Sequence, residues 1–174
     1  MTTTIESLRE LYIDHLKDMY SAENQITKAL PKVIKKVTEP ELKHGLEKHL
    51  KETNKQVERL ERIFQSLDAS PRGKKCIGME GVLEEGKEAM AEKMDSPDLM
   101  DAALIGACQK VEHYEIAAYG TIRAFAKLLG EDEAVDLLTQ SLEEEKAADE
   151  KLTEVGMNIV NLDAMQEEDS KERM

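Results

Sequence analysis

The stretch LIGACQKVEHYEIAAYGTI, residues 104–122, decides the fold that this sequence predicts. Its apolar residues recur every three or four positions, which is the spacing of the buried face of an α-helix. Glu112 and Glu115 occupy two positions of that same face, one above the other. A start signal at Ser96 and a glycine at Gly130 bound the pattern. The stretch therefore predicts a long helix whose buried face carries two carboxylates.

The same periodicity predicts three further long helices and one short helix. The long helices cover about residues 5–36, with Pro31 as a candidate kink, then 41–67, 98–129 and 131–160, and a weaker pattern at 76–92 predicts a short helix. Two hairpins joined by one connection of about thirty residues predict an all-α, ferritin-like antiparallel four-helix bundle with one long crossover. Residues 1–162 form this single domain, and the polar segment 163–174 has no apolar stripe, so it predicts a frayed tail.

Composition excludes several functional classes. The chain of 174 residues has 37 Asp and Glu against 24 Lys and Arg, a formal net charge of -13. This balance argues against nucleic acid or an anionic membrane as the main partner. No apolar run of about eighteen residues and no basic-then-apolar leader occurs, so we expect a soluble, cytoplasmic protein. The isolated Cys76 and Cys108 predict reduced thiols rather than a disulfide or a thiolate zinc site.

Each of the other long helices also carries polar residues on its buried stripe, near its middle. Antiparallel helices of similar length bring their midpoints to one level, so these residues lie within roughly 4–5 Å of one level along the bundle axis. The candidates are Glu23 in the first helix, His49 and Glu52 in the second, and Glu145, with Glu144 and Asp149 beside it, in the fourth.

A layer of buried carboxylates needs cations. An uncompensated buried carboxylate costs several kcal/mol, whereas a whole domain is stable by only about 5–15 kcal/mol. We expect Arg59 and Arg123 to lie toward the helix ends, away from this layer. Two divalent metal ions bridged by carboxylates fit the number of acidic residues best. The predicted metal ligands are Glu23, His49, Glu52, Glu112, Glu115 and Glu145.

Each of these residues also has a simpler interpretation. A glutamate on a helical stripe can be a boundary residue with its carboxylate in water, and His49 can be a hydrogen-bonded core residue. Tyr119 is either a core residue or a hydrogen-bond donor to a ligand carboxylate. A non-enzymatic, dimeric structural or interaction protein without a functional metal centre therefore remains an alternative.

Six stretches resemble a known family: YSAENQITKALP (20–31), HLKET (49–53), CIGMEG (76–81), DAALI (101–105), QKVEHYEIAA (109–118) and EEEK (143–146). In these stretches the chain is similar to the bacterial YciE/YciF stress proteins, a ferritin-like domain of unknown function, over about residues 4–160. The resemblance implies a homodimeric bundle of rubrerythrin-like layout with a dinuclear metal centre. It also implies a role in stress responses, but no established reaction.

The candidate ligand set departs from the common ferritin-like pattern. Such proteins carry Glu-x-x-His in the second and fourth helices, whereas here Lys55 follows Glu52 and Ala148 follows Glu145. A site with at most one histidine is rich in oxygen ligands, which leaves the choice between iron and manganese open. The working hypothesis is a di-iron centre that acts on peroxide or Fe(II).

Overall fold

The computed structural model describes residues 4–172, and the side chains of residues 4–166. The elements are α1 (Leu8–Lys36), α2 (Pro40–Ser66), α3 (Ile77–Ala91), α4 (Pro97–Leu128), α5 (Asp132–Val155), a π-helical turn (Gly156–Val160) and α6 (Asn161–Glu172). This part of the chain contains no strand. The predicted all-α bundle is confirmed: α1, α2, α4 and α5 are its long helices, and α3 lies in the crossover.

Local sequence signals set several helix ends. The hydroxyl of Ser7 accepts a hydrogen bond from the backbone N–H of Glu10 at 3.1 Å, and Ser96 accepts one from Leu99 at 3.2 Å. These bonds satisfy N–H groups that the first helical turn leaves without an internal partner. Gly130 has a φ of 72°, a left-handed conformation that a residue with a Cβ rarely adopts. The turn between α4 and α5 is therefore set by the local sequence.

One buried aspartate ties the turn between α1 and α2 to α4. Asp101 is fully buried, and its carboxylate accepts hydrogen bonds from the backbone N–H groups of Thr38 and Glu39. The Thr38 hydroxyl donates a further bond at 2.7 Å. Hydrogen bonds to a charged group contribute about 1.5–3 kcal/mol each. Asp101 thus sets the level of α4 relative to the first hairpin.

The crossover helix α3 lies on the outside of the bundle. It contacts α1 and α4, and Met79 is its buried residue. The aliphatic core instead lies between the four long helices, which contact one another pairwise. As a result, α3 covers the groove between α1 and α4 without filling it.

The C-terminal end differs from the sequence prediction. The predicted fourth helix, 131–160, contains α5 and the π-helical turn, and the predicted frayed tail is helical as α6 to Glu172. The segment includes Ala164, Met165 and Gln166, which favour helix, and α6 contacts α4. Residues 173 and 174 lie outside the described residues. Pro31 does not interrupt α1, which continues to Lys36.

None of the helices in the described part of the chain combines the length and the apolar character that crossing a bilayer requires.

Candidate metal centre

Three helices bring four side chains of metal-ligand type together. His49 comes from α2, Glu112 and Glu115 come from α4, and Glu145 comes from α5; one donor atom from each lies within 4.8 Å of the others. The exposed fraction of each residue is at most 4%. We call these four residues the His–Glu cluster. Carboxylate oxygens with an imidazole suit divalent first-row metals such as iron and manganese.

Most polar atoms of the His–Glu cluster lack a hydrogen-bond partner. The Nε2 atom of His49 lies 3.3 Å from Oε1 of Glu112 and 3.8 Å from Oε2 of Glu145. The two ring nitrogens of His49 make no hydrogen bond. Both oxygens of Glu115 and one oxygen of each of Glu112 and Glu145 also lack a hydrogen-bond partner. Buried polar groups are normally paired, and each exception costs about 1–3 kcal/mol. Unpaired ligand atoms at this density are typical of a site for a cation.

Three carboxyl groups of the centre resist ionisation. Burial raises the pKa of Glu23, Glu112 and Glu115 well above the usual range. Neighbouring negative charge adds to the effect, from Glu145 on Glu23 and Glu112, and from Glu23 on Glu115. Without a cation the protonated form of these carboxyl groups is therefore favoured more than in an exposed glutamate, and binding of a metal ion would displace protons.

Glu23 extends the centre to α1, the remaining long helix. Its carboxylate is fully buried and accepts a hydrogen bond from the hydroxyl of Tyr119 through Oε1, whereas Oε2 has no partner. Glu23 is not one of the four residues of the His–Glu cluster, but it lies close enough that its ionised form raises the pKa of Glu115. The structure therefore places the four predicted cluster residues together and Glu23 beside them.

Glu52, the sixth predicted ligand, lies outside the His–Glu cluster. Its side chain is 18% exposed, and Oε1 lies 3.0 Å from the ammonium group of Lys48. His49 and Glu52 are three residues apart, so they differ by about 60° around the axis of α2. His49 takes the buried direction and Glu52 is left at the boundary of the core. Glu52 lines a cavity of about 60 Å³, and His49 and Glu112 line the same cavity.

The other acidic residues of α5 that the sequence left open have partners outside the cluster. Glu144 accepts two parallel hydrogen bonds from Arg59, at 2.6 and 2.7 Å. Asp149 lies 3.1 Å from Nε2 of His113. The expectation that Arg59 lies away from this layer is therefore wrong, because its long side chain reaches the residue next to Glu145. Arg59 neutralises Glu144 and leaves Glu145 without a cation.

Sequence reasoning missed the role of Gln56. Its side-chain amide donates a hydrogen bond to Oε1 of Glu145 and another, at 3.0 Å, to Glu144. Gln56 is fully buried and lies seven residues, about two turns, after His49 on the same face of α2. That spacing is visible in the sequence, but the partner of Gln56 depends on how α2 faces α5.

Comparison with known proteins agrees with this architecture. The family described as Domain of unknown function (DUF892) matches residues 7–165. The chain belongs to the DUF892 family. Among its relatives, Protein YciF of Escherichia coli (strain K12) is 42% identical over 158 residues, which cover 90% of this chain and 95% of YciF. The predicted resemblance to the YciE/YciF proteins is thereby confirmed.

Three solved structures have the same fold. The crystal structure of the E. coli stress protein YciF matches with a TM-score of 0.85, covering 90% of this chain and 99% of that one. YcfI from Rhodopseudomonas palustris is 45% identical, covers 88% and 97%, and has a TM-score of 0.84. A Xanthomonas campestris protein is 24% identical, covers 92% and 98%, and with a TM-score of 0.72 shows the fold alone.

Proposed function

We propose that this DUF892 protein is a stress-response protein that binds two divalent metal ions, iron in the first place and manganese as the alternative, inside the bundle. We further propose that it acts on peroxide or Fe(II). The observation that carries the metal centre is the His–Glu cluster, with its unpaired and buried ligand atoms. The stress role is supported by a relative described as a stress protein.

Two ions fit the donor groups better than one. Four residues with one ligand atom each account for a single ion. Glu23 adds a further carboxyl group near Glu115. One oxygen of Glu23 and both oxygens of Glu115 have no hydrogen-bond partner. Glu23 and Glu115 would together supply donor atoms for a second ion, a role that glutamates have in dinuclear helical bundles.

The surrounding residues hold the carboxylates in place. Gln56 orients Glu145 and Tyr119 orients Glu23, in each case by a hydrogen bond to one oxygen that leaves the other oxygen free. Aliphatic residues of the core surround the layer. Bound iron would supply the electron transfer that peroxide reduction or Fe(II) oxidation requires.

Metal content tests the centre directly. Full-length protein is loaded anaerobically with Fe(II) or Mn(II), passed through a desalting column and assayed for metal per chain. We expect two ions per chain, and a near-complete loss in the Glu112→Ala, Glu115→Ala double variant. Glu143→Ala is the matched control, because the Glu143 side chain on α5 is 60% exposed. A ratio of one would contradict the dinuclear form, and less than one would contradict the metal centre.

A kinetic experiment tests the proposed chemistry. Iron-loaded protein is mixed with hydrogen peroxide, or metal-free protein with Fe(II) and oxygen, and the consumption of peroxide or Fe(II) is followed. We expect the wild-type protein to accelerate one of these reactions over free iron at equal concentration. Rates equal to those of free iron would contradict the reaction and favour a structural role.

We also propose that the protein acts in the cytoplasm as a homodimer. Cys76 and Cys108 are both free and buried, which fits a reducing compartment. The dimer follows from the family resemblance. Sedimentation equilibrium tests it, with an expected mass of twice 19.6 kDa.

A further inference from the structure

A cavity of about 240 Å³ lies between α1, α3 and α4 and reaches the metal centre. Its lining includes His49 and Glu112, which are buried, and Lys28 and Lys32, which are exposed. The cavity therefore runs from solvent to the His–Glu cluster. Its walls are aliphatic and include Ile26, Leu30, Val33, Leu83, Met90 and Leu104.

One small residue from each of the three helices leaves space in this groove. A Cβ atom at Gly86 would lie 3.9 Å from the Cβ of Ala107, and both residues line the cavity together with Ala29. Apolar walls that face empty space lose dispersion contacts, so a cavity of this kind favours an apolar occupant. An engineered apolar cavity of about 150 Å³ accepts benzene, so this cavity has room for a larger molecule.

The charges at the mouth of the cavity specify the polar end of the occupant. Glu80 is paired with Lys75 at 2.5 Å, and Lys87 with Glu84 at 2.5 Å. Lys28 and Lys32, one turn apart on α1, have no ion-pair partner among the described residues. Two unpaired ammonium groups in a chain of net charge -13 form a local site for an anion.

We propose that this cavity binds an amphipathic monocarboxylate, a medium-chain fatty acid. Its carboxylate lies at Lys28 and Lys32, and its alkyl chain runs beneath α3 toward His49 and Glu112. The apolar walls match the chain, and the unpaired lysines match the headgroup. This site goes beyond the proposed metal function and does not require a bound metal ion.

Calorimetric titration of the full-length protein tests the headgroup. Octanoate, octan-1-ol and octylammonium are titrated separately, in buffer with EDTA and in buffer without it. We expect one octanoate per chain, bound about tenfold more tightly than octan-1-ol, and octylammonium bound more weakly than both. Octanoate that binds no better than octan-1-ol, or does not bind, would overturn the proposal. Because the EDTA arm contains no metal, failure here is distinct from failure of the metal centre.

Two pairs of lysine variants test the headgroup end of the site. Lys28→Gln with Lys32→Gln should weaken octanoate about tenfold and leave octan-1-ol unchanged. The control, Lys35→Gln with Lys36→Gln, changes the net charge equally on the same helix, outside the cavity lining. Equal effects of the two pairs would contradict the headgroup assignment.

Filling the cavity tests the chain end of the occupant. Ala107→Leu should abolish binding of both octanoate and octan-1-ol, with helical content checked by circular dichroism. Ala29→Leu fills the cavity from α1 and serves where Ala107→Leu does not fold. Unchanged octanoate binding in either folded variant would exclude this cavity as the site.

Discussion

The hydroxyl of Tyr119 on α4 donates a hydrogen bond to Oε1 of Glu23 on α1, and both side chains are completely buried. Burial and the adjacent Glu23 carboxylate raise the pKa of Tyr119 well above 10, so the phenol keeps its proton. The Tyr119 hydroxyl therefore remains a hydrogen-bond donor to Glu23. It links two long helices within the layer of the candidate metal centre.

Tyr119→Phe should destabilise the metal-free protein by about 1–3 kcal/mol, because the variant leaves a buried carboxylate oxygen without its donor. It should also weaken metal affinity by about 10–100-fold, the usual effect of losing a hydrogen bond to a ligand. Denaturant unfolding in EDTA and metal titration measure the two effects. Tyr20→Phe is the control, since Tyr20 bonds to Glu61 at 2.9 Å away from the cluster. Unchanged metal affinity in Tyr119→Phe would contradict the role of Glu23.

Stability should depend on pH through the buried carboxyl groups. The pKa of Glu115 is raised in the folded protein, so above the ordinary pKa of a glutamate the folded state binds more protons than the unfolded state. Its contribution is fully present below the unfolded pKa and is lost as pH rises toward the folded pKa. In EDTA, Glu115→Gln should therefore become more stable than wild type as pH rises from 5 to 8, by about 1–3 kcal/mol at the upper end.

The pH prediction has an internal control. Glu143→Gln removes an exposed carboxylate from α5 and should show a stability difference from wild type that stays nearly constant over the same range. Chemical unfolding at several pH values gives both series. A difference between Glu115→Gln and wild type that does not change with pH would contradict a raised pKa at Glu115.

Glu52 and Glu112 should differ strongly in their effect on metal binding. Glu112 belongs to the His–Glu cluster, whereas Glu52 is partly exposed and paired with Lys48. Glu112→Ala should weaken metal binding by more than about 100-fold, and Glu52→Ala by less than about 10-fold. Competition with a fluorescent chelator measures both constants. Equal losses would place Glu52 among the ligands, as the sequence alone predicted.

Replacing glycine by alanine in α3 should destabilise the protein at Gly78, which faces α4, and should be tolerated at Gly81. A Cβ at Gly78 would lie 2.8 Å from Cε2 and 2.9 Å from the hydroxyl of Tyr114, whose hydroxyl also contacts Cys76 Sγ at 3.0 Å. Gly78→Ala should cost about 1–3 kcal/mol through this overlap. Gly81→Ala meets open space in the same helix and should stabilise by about 0.5–1 kcal/mol. Denaturant unfolding compares them; equal effects would contradict the close approach.

Much of the candidate site could be predicted because its signal is local. Glu23, Glu112, Glu115 and Glu145 replace apolar residues on helical stripes, and the structure buries all four. A stripe marks which face of a helix is buried, since side chains three or four residues apart share that face. The helix α6 could not be predicted in the same way, because the segment after residue 162 has no apolar stripe although the helix continues through it.

The sequence by itself determined the number of long helices, the single crossover and the layer of buried carboxylates, because these follow from periodicity and turn residues within each segment. Only the tertiary structure decided which side chains meet. It turned His49 inward and Glu52 outward, brought Arg59 to Glu144, and left a cavity beneath α3. These outcomes depend on how each helix is rotated and how closely it approaches its neighbours, which the packing of the whole core sets.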